Sequence, residues 1–160
     1  MADEKMVTQL TEYYRAFMPA IRDLDREHGP LYLAMILQFE PEPEDEWTLL
    51  IGSRSLAEDP GAGTTIVAHK LSESVAPSVT RKVRRIGIIH ETDPFYHAIA
   101  RAIHQPIGGM AEFVQCSFDG VHVERGALFT AVSDVNQLYA RRPKQRRKKK
   151  EKTPRRRTGG

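Results

Sequence analysis

The chain has 160 residues and a formal net charge of +3, but its charges are segregated. Residues 141–160 hold 12 of the 24 Lys and Arg and a single acid, Glu151, for a net +11, which leaves 12 bases and 20 acids, net −8, on residues 1–140. A hydrophobic content of 40% supports one core and excludes a wholly disordered chain, while the lone cysteine, Cys116, excludes an intrachain disulfide and any multi-cysteine zinc site.

Met6, Leu10, Tyr13, Phe17, Ile21 and Leu24 recur at spacings of three and four, the stripe of an amphipathic helix that His28-Gly29-Pro30 ends. Leu31 to Phe39 is a short apolar run bounded by prolines and predicts a buried strand. Glu40 to Glu46 then brings five carboxylates and two prolines into a connection that cannot be core. Trp47 to Ile51 predicts a second strand, antiparallel to the first because the connection is too short for a helical crossover. Asp59-Pro-Gly-Ala-Gly63 reads as a surface loop, with Thr64 or Thr65 capping a short helix that runs to Ala76. Val83 to Ile89 predicts a third strand. Asp93-Pro94 opens a helix whose apolar face is Phe95, Ile99, Ala102 and Ile103. Phe113 to Phe118, Asp119-Gly120 and Val121 to Thr130 predict a tight hairpin that pairs Phe118 with Val121, Cys116 with Val123 and Ser117 with His122. The expected fold is therefore α/β (α+β): a single compact sandwich over residues 1–140 with a mixed sheet of about five strands and three helices.

From Arg141 the periodicity disappears, and residues 141–160 read as a disordered Lys/Arg-rich tail with no apolar side chain to offset the entropy of ordering. Its cations are Arg141, Arg142, Lys144, Arg146, Arg147, Lys148, Lys149, Lys150, Lys152, Arg155, Arg156 and Arg157. Such a polycation suits nucleic-acid phosphates, and its lack of aromatic residues argues for contact without sequence readout. The acidic stretch Glu40 to Glu46 is a counter-charge that could mask it at low salt. Membrane binding is not expected: no apolar run approaches the roughly 18 residues of a span, and no hydrophobic signal sits beside the tail.

On residues 1–140 the chemistry-bearing candidates are fewer. His90, Glu91, Asp93 and His97 lie where a strand end meets a helix start, a position that often carries acid/base or metal chemistry, although Asp93 is also the expected helix cap. Arg81, Lys82, Arg84 and Arg85 form a cationic cluster at a strand entrance, where alternation keeps all four from sharing one face. Cys116 reads as a buried structural residue, since the predicted hairpin puts His122 on the opposite face. Nothing in the sequence calls for a cofactor or a bound metal.

The first helix leading into Leu31 to Phe39, the Trp47-Thr-Leu-Leu-Ile51 strand, the Arg85-Ile-Gly-Ile-Ile89 strand and the Asp93-Pro94-Phe95 helix start resemble a set of small uncharacterised bacterial proteins over residues 10–103. That group has no assigned activity, so the resemblance implies no catalytic residues. It does imply a bacterial cytoplasmic setting. The sequence thus favours a non-enzymatic binding or accessory protein, with an acidic body for protein contact and a basic tail for nonspecific nucleic-acid binding. The alternatives are a hydrolase or nuclease with its site near His90, Glu91, Asp93 and His97, and an oligomeric structural subunit.

Overall fold

The structure is a computed structural model that describes residues 2–39, 46–102, 110–131, 135–136 and 138–140. Chain order is α1 (Ala2–His28), β1 (Leu31–Phe39), β2 (Trp47–Ser53), α2 (Arg54–Ala57), α3 (Pro60–Ser74), α4 (Pro77–Thr80), β3 (Val83–Ile88), α5 (Pro94–Ala102), β4 (Ala111–Phe118) and β5 (Val121–Ala131). The strands form one mixed sheet in the order β3-β2-β1-β5-β4. All neighbours are antiparallel except β2 and β3, which run parallel because residues 54–82 cross between them through three helical segments.

Helices cover both faces of this sheet. Leu10, Tyr13, Phe17, Ile21 and Leu24 of α1 and Val67 and Leu71 of α3 pack with Ala34, Ile36, Trp47, Leu49 and Ile51 on one face. Phe95, Tyr96, Ile99 and Ala100 of α5 pack with Tyr32, Leu33, Met35 and Leu37 on the other. The continuous apolar run of β1 follows from its central position, with both faces buried. The register of β1 shifts between Leu31 and Leu33, where Tyr32 and Leu33 both join the α5 face.

Three expectations are corrected. Asp59 caps α3, accepting from the backbone N–H of Ala62, and Pro60 is its first residue, so the Gly-Ala-Gly segment is helix rather than loop. Gly63 is there for proximity: a Cβ would lie 2.7 Å from the carbonyl oxygen of Leu56. On α5 the buried residues are Phe95, Tyr96, Ile99 and Ala100, whereas Ala102 is exposed and Ile103 lies outside the described residues. Cys116 is half-buried rather than buried, packed at the edge of the α5-side core, and its thiol donates to the carbonyl of Val114 at 3.5 Å. The hairpin has the predicted pairing, Phe118 with Val121, Ser117 with His122 and Cys116 with Val123. Asp119 (φ 53°) and Gly120 (φ 78°) are both left-handed, the combination that lets a two-residue turn follow the twist of its strands.

The side chain of Met6, the connection at residues 40–45 and the tail at residues 141–160 lie outside the described residues. The strand pairings define two ends of the sheet. Leu31, Ser53 and Ile89 meet at one end, since Leu31 pairs with Ser53 and the N–H of Ile89 donates to Ile51. Phe39, Trp47, Val83 and Val123 meet at the other.

Candidate functional site

The first end of the sheet gathers a network of polar side chains from β2, the loop before α5, Asn136 and Tyr139. Ser53, the last residue of β2, is fully buried and caps α2 by accepting from the N–H of Leu56 at 3.3 Å, while its hydroxyl donates to the carbonyl of His28 at 2.5 Å. That cap aims Arg54 out of the sheet end. Its guanidinium donates from Nε to Glu91 Oε2 at 2.6 Å and from Nη2 to Glu91 Oε1 at 3.0 Å, a two-point pairing, and Nη2 also donates to Asn136 Oδ1 at 3.0 Å. The ring of Tyr139 lies under the guanidinium, 4.4 Å from its carbon to the ring centre. The Tyr139 hydroxyl accepts from the N–H of Arg54 at 2.9 Å and donates to the carbonyl of Pro30 at 2.6 Å.

The charges at this site follow from those contacts. The hydrogen bond from Arg54 holds the Glu91 carboxyl below its usual range, and the same bond raises Arg54. Burial raises the hydroxyl pKa values of Tyr139, of Tyr32, which donates to the Ile89 carbonyl at 2.6 Å, and of Tyr96, which is pushed up to about 12. Glu91 is therefore ionised and doubly held, and the three tyrosines are neutral at neutral pH, Tyr32 and Tyr139 as donors.

A carboxyl whose pKa is depressed on folding stabilises the protein above its unfolded pKa and loses that contribution as pH falls through the folded value. Glu91→Gln is accordingly expected to lower stability at pH 7 by about 0.5–1 kcal/mol, the range for a partly exposed pair, and to flatten the loss of stability as pH falls below the ordinary carboxyl range. Urea melts of both proteins at pH 7 and in acid check this. Equal losses on acidification would show that Arg54 contributes nothing through this carboxylate.

Of the four residues singled out in sequence, Glu91 is taken by Arg54 and Asp93 by the helix cap, its Oδ1 accepting from the N–H of Phe95 at 2.9 Å. His90 is exposed, with Nδ1 accepting from the N–H of Thr92 at 3.2 Å and lying 2.9 Å from its hydroxyl. His97 is exposed beside the ring of Tyr96, 5.2 Å between centres. The four share one loop and the first turn of α5 but are turned to different local partners. Among the described residues no group of three or more His, Cys, Asp or Glu is arranged to hold a metal ion. Arg54, Asn136 and Tyr139 were not singled out in sequence, because each meets its partner across 37 to 109 residues of chain and nothing local marks the meeting.

At the opposite end, the cationic cluster divides. Arg84 pairs with Glu46, and a register shift between Trp47↔Val83 and Thr48↔Arg85 leaves Arg84 and Arg85 both exposed, where strict alternation would have put Arg85 beside Val83. Arg81 and Lys82 line a separate cleft with Ser78 and Glu46. The twelve tail cations lie outside the described residues. No protein-family model, curated protein or solved structure matches the chain.

Proposed function

We propose that the protein is a non-enzymatic binding or accessory protein of the cytoplasm, in which the acidic body serves protein contact and the tail engages nucleic-acid phosphates without sequence readout. The observation that carries this reading is the charge partition, +11 on residues 141–160 against −8 on residues 1–140. The position of the tail's root supports it. Tyr139, just before the tail in sequence, is hydrogen-bonded to Pro30 and Arg54, at the sheet end opposite Phe39 and Glu46, which flank the acidic connection in sequence. The seven residues of β2 put about 23 Å between those ends.

A binding role is preferred to a hydrolase or nuclease at His90, Glu91, Asp93 and His97 because the two carboxylates already hold Arg54 and the α5 cap. Among the described residues no helix is long and apolar enough to cross a membrane. The test is a set of fluorescence-anisotropy titrations of the full-length protein on duplex DNA, single-stranded DNA and RNA of equal length across salt. Engagement of six to ten phosphates gives affinity that falls about 10³–10⁵-fold from 50 to 200 mM salt, with little dependence on base sequence. Binding that is insensitive to salt, or that requires one sequence, overturns the reading.

A further inference from the structure

We propose that the cleft at the entrance to β3 is an oxyanion site that takes the phosphate group of a phosphorylated ligand, independently of the tail. It is an open, polar depression of about 340 Å³ lined by Ser78, Arg81, Lys82 and Glu46. Its two cations stand on a tied-down turn: the N–H of Arg81 donates to Pro77 at 3.0 Å, the N–H of Lys82 to Val79 at 3.0 Å, and the carbonyl of Lys82 accepts from Trp47 at 2.8 Å. The backbone that carries them is therefore in place before any ligand arrives.

Two cations stand side by side at this cleft without a carboxylate partner among the described residues. Arg26, Arg54, Lys70 and Arg84 each face a carboxylate, whereas Arg81 and Lys82 are in no ion pair among the described residues. The one acid lining the cleft among the described residues, Glu46, is turned to Arg84 at the strand edge and partly neutralised there. Two adjacent unpaired cations repel one another until an anion sits between them, and a phosphate matches the set: the Arg81 fork on two oxygens, the Lys82 ammonium as a point charge, the Ser78 hydroxyl on a third. The space is also large enough for a phosphate with a sugar or chain attached, so the shared chemistry is a phosphate ester or free phosphate.

The test is a ¹⁵N–¹H titration of the full-length protein, following the amides of residues 79–82 apart from those of the tail. The probes are inorganic phosphate, a 5′-mononucleotide and a short single-stranded oligonucleotide, which separate free phosphate, a monoester and a polymer's phosphodiester. The expected result is saturable shifts at residues 79–82 with at least one probe. Affinity falls at least about tenfold in Arg81→Gln/Lys82→Gln, the loss of a charge-assisted pair of contacts. It rises about threefold in Glu46→Gln, which removes the carboxylate that competes with the ligand. Arg101→Gln on α5 removes half the positive charge that the double substitution removes and leaves affinity unchanged. Absence of saturable shifts at residues 79–82, shifts that survive the double substitution, or an equal loss in Arg101→Gln each overturn the proposal. A tail that binds nucleic acid while residues 79–82 stay silent defeats the cleft alone, and the reverse pattern defeats the tail reading alone.

Discussion

Glutamine at all twelve Lys and Arg positions of residues 141–160 is expected to lower the affinity of the full-length protein for nucleic acid at least a thousandfold at low salt, roughly the effect of losing six or more phosphate contacts. Net charge over the whole chain falls from +3 to −9, because only Glu151 and the −8 body remain. An acidic surface repels a polyanion, so little residual binding is expected. The fold is expected to survive: among the described residues both hydrophobic clusters are built from apolar side chains up to Tyr139, and every substitution replaces a charged side chain. Anisotropy titration together with a thermal melt separates the two effects. Unchanged melting with unchanged affinity would assign nucleic-acid binding to the body and end the tail reading.

The largest effect on stability is expected at Trp47. Its indole is fully buried at the start of β2, meets Tyr13 edge-on with ring centres 5.5 Å apart, and has the Arg125 guanidinium 5.3 Å above it. Trp47→Ala removes this contact surface and leaves a cavity that the central sheet cannot close, at a cost of about 3–5 kcal/mol. For a body of this size that is a drop of about 10–20 °C in melting temperature. Trp47→Phe is the informative companion. The indole Nε1 is buried with no hydrogen-bond partner among the described residues, so its removal relieves a desolvation cost of about 1–3 kcal/mol that partly offsets the lost area. The phenylalanine variant should lie much closer to wild type than the alanine variant in urea melts. Equal losses would mean that Nε1 contributes a bond in solution.

Much of this architecture was legible because it rests on local rules. The α1 stripe, the β1 run and the Asp119-Gly120 turn are patterns of spacing and turn chemistry, and each element falls where those patterns put it. The misreadings have a common cause. Gly61 and Gly63 read as breakers by propensity, yet tertiary packing recruits Gly63 into α3 because the helix passes so close to Leu56 that only a missing side chain fits. The register shift in β3 likewise undid strict alternation and exposed Arg85. Of the candidate site, the sequence supplied Glu91 but not its partner. Ser53 aims Arg54, the parallel placement of β2 and β3 brings Glu91 alongside, and Tyr139 returns from the far end of the body to close the group.

What the sequence determined by itself is the separation of charge at residue 140, the elements with strong periodicity and the hairpin register, since all three depend on neighbours along the chain. Only the tertiary structure decided the order β3-β2-β1-β5-β4, the clasp of Arg54 on Glu91, the anchoring of the tail's root through Tyr139 and the cleft at Arg81 and Lys82. Those contacts join residues far apart in the chain, and such pairs are selected by packing of the whole core rather than by any local preference.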